Sequence, residues 1–230
     1  MIAALVPVKR LQEAKGRLAE LLTGDERRRL ALAMLEDVLR VLQAVSRIDR
    51  TAVVSPDPDA LSRAEELGAA PLPEPPLCRG VNQALTHASV VLAAQGADAL
   101  LVVAADIPAA LPEDIEAILD ALPERGIAVT PTDDRGTGAL ALRPPGVVPF
   151  RYGRRSSVVH KREAVALRLP ARVLHLDSLA HDVDEPNDLA ALLAHPAETV
   201  THRLLTELRI AERLDAVRSA PAGGESASDG

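Results

Sequence analysis

An α/β fold with a mostly parallel sheet is what the sequence predicts, on three observations. Ala99 to Ala104 is an unbroken apolar run without polar alternation, as in a central parallel strand covered on both faces. Short apolar runs alternate along the chain with segments of helical period, the pattern of βαβ units. Finally, 47% of the 230 residues are hydrophobic although there is one Phe, one Tyr and no Trp. A substantial core must therefore be built from Leu, Val, Ile and Ala. The length suits one domain, assigned to residues 1–218, and the Gly, Ser and Ala-rich stretch 219–230 reads as a disordered tail.

Taken in order, Ile2 to Val8 is the first strand, and Pro7 takes the chain out of the sheet. A loop or short helix carrying Lys9, Lys15 and Arg17 follows. Thr23 and Glu26 stand at capping-box spacing, and Leu30, Met34, Leu35, Val38, Leu39 and Leu42 recur at helical intervals to about Val45. Thr51 to Val54 is a second strand, stopped by Ser55-Pro56-Asp57-Pro58. Asp59 to Leu67 is a short helix closed by Gly68. A third short strand lies near Ala70 to Leu72, Pro73-Glu74-Pro75-Pro76 is irregular, and Gly80 to Ala94 is helical.

After the central strand, Pro112-Glu113-Asp114 opens a helix to about Leu122, with acids where the helix dipole favours them. Gly126 to Pro131 and Ala139 to Arg143 are strands. Pro144 to Arg162, rich in Pro, Gly, Ser and Arg, breaks the rhythm and reads as a long irregular insertion, a kind of segment that commonly carries function. Val173 to Leu176 is a last strand, Pro186 to Leu193 a helix, and Thr201 to Val217 is helical in pattern.

Composition excludes several classes of function. A formal net charge of −7 provides no global positive field, and the missing aromatics remove base-stacking platforms, so nucleic acid is not an expected partner. The single Cys78 excludes an intrachain disulfide and a multi-cysteine zinc site; it fits a reducing cytoplasm, and a packing role is expected for it. No run approaches the roughly 18 uncharged apolar residues of a membrane span. The apolar opening stops at Lys9 and Arg10, too soon for a signal-peptide core. A soluble, cytoplasmic protein with no membrane partner is expected.

Ligands of such sheets bind outside the strand carboxyl ends, and the residues placed there are an inventory for nucleotidyl transfer. That reaction needs cations for a triphosphate, carboxylates for magnesium and a site that delivers the attacking oxygen. Lys9, Lys15, Gly16 and Arg17 follow the first strand and could wrap a triphosphate; a solvated basic loop is the plain alternative. Asp106 ends the most buried strand, where an unpaired carboxylate is costly. Asp182 and Asp184 lie between the last strand and its helix, where a turn and a helix N-cap are the ordinary readings. Together these carboxylates fit a magnesium site. Gly136-Thr137-Gly138 and Tyr152 through Ser157 offer backbone amides, hydroxyls and guanidinium groups to an anion. His160 sits nearby, although a lone His is more often structural than in contact with substrate. A metal-free nucleotide-binding domain stays open as an alternative. So does a sugar-nucleotide glycosyltransferase, which would usually keep a two-aspartate motif where this chain reads Ala104-Ala105-Asp106.

The order and spacing of five segments resemble a known family over roughly Ile2 to Leu193. The segments are Pro7-Val8-Lys9 with Ala14-Lys15-Gly16-Arg17-Leu18; Gly80-Val81-Asn82-Gln83-Ala84-Leu85; Ala105-Asp106-Ile107-Pro108; Gly136-Thr137-Gly138 with Tyr152-Gly153 through Ser156 to His160; and Asp182-Val183-Asp184-Glu185-Pro186-Asn187-Asp188-Leu189. The family is the guanylyltransferases of deazaflavin coenzyme F-420 biosynthesis. The resemblance implies a three-layer, Rossmann-like nucleotidyltransferase fold of the nucleotide-diphospho-sugar transferase type, with a mostly parallel mixed sheet. It implies transfer of GMP from GTP to phosphoenolpyruvate or 2-phospho-L-lactate, with release of pyrophosphate and no covalent enzyme intermediate. Asp106 and Lys15 would be catalytic; Asp106, Asp184 and Asp182 would bind magnesium; Lys9, Lys15 and Arg17 would hold the triphosphate, with Asn82 near the guanosine. Thr137, Gly153 and Ser156 would hold the acceptor. The partners implied are GTP and a small phosphorylated acid, phosphoenolpyruvate first, and a homodimer is compatible. Acceptors that remain open are 3-phosphoglycerate, a sugar phosphate and a molybdenum-cofactor precursor. The chain departs from the family at Ser55-Pro56-Asp57, where relatives often show Thr-Asp-Asp, and at Gly16, where Ser is common. The segment after His195 has no functional reading.

Overall fold

A computed structural model describes residues 1–194 and 198–219. One seven-stranded sheet is formed by β1 (Ile2–Pro7), β2 (Arg50–Ser55), β3 (Ala70–Pro73), β4 (Ala99–Val103), β5 (Gly126–Pro131), β6 (Thr137–Arg143) and β7 (Ala171–Val173), in the order β3-β2-β1-β4-β6-β5-β7. Only β6 is reversed, running antiparallel to both β4 and β5. The sheet is thus mixed and mostly parallel, and helices cover both faces.

Side chains alternate across a strand, and the core divides accordingly. Ala4, Val6, Leu101 and Val103 pack on one face with Leu35, Val38 and Leu39 of α1 (Gly24–Ala44), Ala64 of α2 (Pro58–Glu66) and Ile115 and Ile118 of α4 (Pro112–Ala121). Ala3, Leu5, Leu100 and Val102 pack on the other with Leu85 and Leu92 of α3 (Val81–Ala94) and Ala164 of α5 (Ser156–Ala166). The capping box at the start of α1 forms in full: the Glu26 amide donates to Thr23 Oγ1 and the Thr23 amide to Glu26 Oε2.

A third cluster gives the C-terminal helices a structural place. Leu30, Ala33 and Met34 of α1 meet Leu189 of α6 (Pro186–Ala194), Leu204 and Leu205 of α7 (Val200–Glu207), and Ile210 and Leu214 of α8 (Ile210–Ser219). Asp37 of α1, itself buried, accepts from the first amides of α7, Val200 and Thr201, at 2.7 and 2.8 Å. The stretch 220–230 of the expected tail lies outside the described residues. Among the described residues no helix is long and apolar enough to cross a membrane.

The structure corrects four details of the sequence reading. The segment 144–162 is irregular only to Arg155, after which α5 begins, fastened where the Ser157 hydroxyl donates to the Arg135 carbonyl at 2.9 Å. The last strand lies at Ala171–Val173, ahead of the expected Val173 to Leu176, because its register on β5 starts at Ile127 opposite Ala171. The helical pattern from Thr201 to Val217 is cut in two at Leu208 and Arg209, with Arg209 left-handed at φ 52°, so that Leu208 and Ile210 both reach the third cluster. Pro73 belongs to β3, which is an edge strand and tolerates a missing N–H.

Candidate active site

A cavity of about 1000 Å³ opens at the carboxyl ends of β1, β2 and β4, the edge where parallel sheets bind ligands. Its wall includes Lys9, Lys15, Asn82, Asp106, Thr137, Gly153 and Asp184. The reversal of β6 is what brings Thr137 here, since the strand begins at the edge where its neighbours end.

Lys15 is the centre of the polar wall. The loop between the two 3-10 turns Leu11–Glu13 and Gly16–Leu18 is anchored by the buried Leu11 and Leu18. Lys15 itself takes left-handed backbone, φ 54°, a strained conformation for a residue with a side chain. Its ammonium donates to Asp106 Oδ2 at 2.7 Å and Asp184 Oδ1 at 2.8 Å, and the side chain is only 7% exposed. Burial pulls the Lys15 pKa down, but the Asp106 and Asp184 carboxylates outweigh it and hold it above the ordinary lysine value. The two carboxylates meet because the Val183 amide donates to the Asp106 carbonyl at 3.0 Å.

Asp182 stands beside this pair, outside the cavity wall. Burial first, then the Asp106, Asp184 and Asp134 carboxylates, push its carboxyl up to about 6. Such a surplus of negative charge suits a bound cation. Among the described residues, however, no three His, Cys, Asp or Glu side chains converge closely enough to ligate a metal by themselves. Asp106 and Asp184 fit magnesium in its usual protein environment, one or two carboxylates completed by phosphate oxygens and water; Asp182 is not drawn into the same cluster.

Another part of the wall carries Thr137 and Gly153. Thr137 Oγ1 lies 2.7 Å from Ser156 Oγ and 3.3 Å from His160 Nδ1. Ser156, 1% exposed, sits behind Thr137 and does not border the cavity. Gly153, at φ 142°, occupies a conformation few other residues adopt. Gly138 has no room for a side chain, since a Cβ there would fall 2.0 Å from the Leu179 carbonyl oxygen. Asn82 spends its amide on main chain: its Nδ2 donates to the Tyr152 carbonyl at 3.1 Å, and its Oδ1 accepts from the Tyr152 amide at 2.7 Å.

Arg17 points elsewhere. It pairs with Glu185 at 2.8 Å and lines a second cavity of about 440 Å³ with Asp134, Arg135, Arg154 and Arg155. Cys78, for which a packing role is expected, is half-buried on the main cavity wall. Asp57 is absorbed by the fold: it caps α2 and accepts from the Leu11 amide at 2.9 Å. The sequence reading gave no role to Asp188, whose Oδ2 accepts from the Asp184 and Glu185 amides at 2.8 and 2.7 Å and so fixes the Asp184 loop. Its place in the first turn of a helix opened by Pro186 is a legible signal for such a back-bond.

The family model for guanylyl transferases of the CofC-like type matches residues 2–220. The chain belongs to this family. The CofC-like guanylyl transferases it resembles include a phosphoenolpyruvate guanylyltransferase of Sphaerobacter thermophilus, 44% identical over 84% of this chain and 92% of the relative. Another, from Rubrobacter xylanophilus, is 41% identical over 84% of this chain and 94% of the relative. Among solved structures, a Desulfovibrio desulfuricans protein assigned to the nucleotide-diphospho-sugar transferases superposes with a TM-score of 0.75 at 20% identity, covering 94% of this chain and 97% of the other. This CofC-like chain thus has the nucleotidyltransferase fold its sequence predicts.

Proposed function

We propose that the protein transfers GMP from GTP to phosphoenolpyruvate, giving enolpyruvyl-diphospho-guanosine and pyrophosphate. The observation that carries this reading is the Lys15 ammonium clamped between Asp106 and Asp184 in the wall of a cavity that Thr137 and Gly153 also line. Cation, carboxylates and anion-binding wall face one space, as an in-line displacement at phosphorus requires. The names of the two relatives supply the acceptor.

A phosphate oxygen of the acceptor attacks the α-phosphorus, and the bond from that phosphorus to the β-phosphate bridging oxygen breaks with its electrons leaving on pyrophosphate. Lys9 and Lys15 hold the triphosphate, Lys15 as a permanent cation, and Arg17 with Arg135, Arg154 and Arg155 gives the adjoining surface a positive field for anions in an otherwise acidic chain. Asp106 and Asp184, with Asp182 close by, would hold a magnesium ion, whose charge neutralises the phosphates. Gly153 and Thr137, backed by Ser156, receive the acceptor's phosphate and carboxylate. Asn82 holds the Tyr152 main chain at the boundary between the guanosine and acceptor sides. The reaction belongs in the cytoplasm, where both substrates are made.

Pyrophosphate release tests the reading. Purified protein with magnesium and GTP is given phosphoenolpyruvate, 2-phospho-L-lactate or 3-phosphoglycerate in turn, with ATP and CTP replacing GTP as controls. Release with phosphoenolpyruvate and GTP alone is expected. Release with another acceptor reassigns the acceptor and keeps the reaction, whereas silence with every pair removes the proposal.

A further inference from the structure

His160 lies on α5 with no solvent exposure, and the proposed reaction gives it no part. Both ring nitrogens are nevertheless engaged. The Arg151 amide donates to Nε2 at 2.9 Å, and a backbone N–H can only donate. Nε2 is therefore unprotonated, which places the one hydrogen of a neutral imidazole on Nδ1. Burial keeps the ring neutral at pH 7 by drawing its pKa down to about 4, with Glu163 opposing and Arg151 adding to the effect. Nδ1–H then faces Thr137 Oγ1, 3.3 Å away.

Counting hydrogens fixes the rest. Thr137 and Ser156 carry one hydroxyl hydrogen each, and one of these fills the 2.7 Å bond between them. If Thr137 donated, the Ser156 hydrogen would be left in a buried place, with no other partner for Ser156 Oγ among the described residues. An unmet buried donor is costly. If Ser156 donates, the Thr137 oxygen receives two hydrogens, from Ser156 and from His160, and its own hydrogen turns to the cavity that Thr137 borders. The second arrangement leaves nothing unmet once an anion is present.

We propose that His160 is a positioning residue which, acting through Thr137, aims the Thr137 hydroxyl hydrogen at an anionic oxygen of the acceptor. This rests on the assignment of the Thr137 and Gly153 wall to the acceptor. The same ring steadies the loop beside it. Arg151 is held by His160 and Tyr152 by Asn82, so two consecutive amides are fixed just before Gly153, and the Tyr152 ring packs edge-on against the imidazole with centroids 5.1 Å apart.

A double-mutant cycle on acceptor KM tests the inference, with Thr137→Val, His160→Gln and the double variant, each checked for folding by thermal melting. Glutamine can keep an acceptor for the Arg151 amide while removing the Nδ1–H donor. His160→Gln is expected to raise acceptor KM roughly three- to tenfold and leave GTP KM within about twofold. The double variant is expected to be no worse than Thr137→Val alone, because glutamine keeps the acceptor for the Arg151 amide and what His160→Gln removes reaches the acceptor through Thr137. Additive losses, or equal losses for GTP and acceptor, would overturn the proposal and make His160 a packing residue. Histidine-labelled protein examined by ¹⁵N NMR gives a reading independent of turnover and of variant folding. A neutral ring protonated on Nδ1 is expected, and a ring protonated on Nε2 overturns the proposal. A silent assay with an Nδ1-protonated ring would locate the failure in the assigned reaction instead.

Discussion

Asp106 carries two duties that a single substitution separates. It pairs with Lys15, and in the proposed reaction it also shares magnesium with Asp184. Asp106→Asn keeps the shape and one hydrogen-bond acceptor for Lys15 while halving the charge opposed to the ammonium. The fold should persist, because Lys15 keeps Asp184 and the core strands are untouched. Turnover should fall by roughly a hundredfold or more, since metal-assisted stabilisation is worth several kcal/mol in the transition state. Steady-state kinetics beside a thermal melt checks this, and near-normal kcat/KM would remove Asp106 from the metal site. At this scale the meeting of Lys15, Asp106 and Asp184 is legible, because a sheet edge can be read from strand order, whereas Arg17 turns to a second cavity and Asp182 stays outside the wall. The partners of Asn82 and His160 are not legible there. Asn82's hydrogen-bond partner lies 70 residues away in sequence, and His160's burial depends on a helix that has no apolar stripe of its own.

That helix, α5, shows why some elements are legible in sequence and others are not. α1 and β4 announce themselves locally, by a capping box and by an unbroken apolar run. α5 exposes Lys161, Arg162, Val165 and Ala166, buries Ser156, Ser157, His160 and Ala164, and so has a polar inner face with no apolar stripe to recognise. The α7–α8 break was hidden for the opposite reason, because apolar residues recur straight through it. Docking of α7 depends on Asp37, whose carboxylate accepts from two amides at the helix start. Asp37→Ala should cost about 2 kcal/mol, the range for charge-assisted bonds and helix capping, and lower the melting temperature by roughly 4–8 °C. A change under about 1 °C would mean that α7 is held by the leucine cluster alone.

Across the whole molecule, acid should loosen the fold through His160. Its pKa is drawn down to about 4 in the folded state by burial and stands near 6.5 in the unfolded chain. The unfolded state therefore binds the proton first, so this contribution is complete above about pH 6.5 and is lost as pH falls toward 4. Asp182, raised to about 6, titrates in part of the same window with the opposite sign: the folded state gains that proton first and is favoured by acid. The His160 part is isolated by difference. Urea midpoints of wild type and His160→Gln, followed from pH 7 to 4.5, should converge as pH falls, the wild type losing roughly 3 kcal/mol more than the variant over the full transition. Parallel curves would mean that the ring is already protonated or exposed.

The reversed strand β6 has an evolutionary consequence. Because it runs backwards, it starts at the same sheet edge where β5 ends, so residues up to Asp106 face the cavity from one stretch of sequence and Thr137 onward from another. If the proposed division of the site holds, a change of acceptor can be explored by mutation in the later stretch while the earlier one keeps its nucleotide, provided the side chains that tie the two together, Lys15 to Asp184 and Asn82 to the Tyr152 main chain, stay in place.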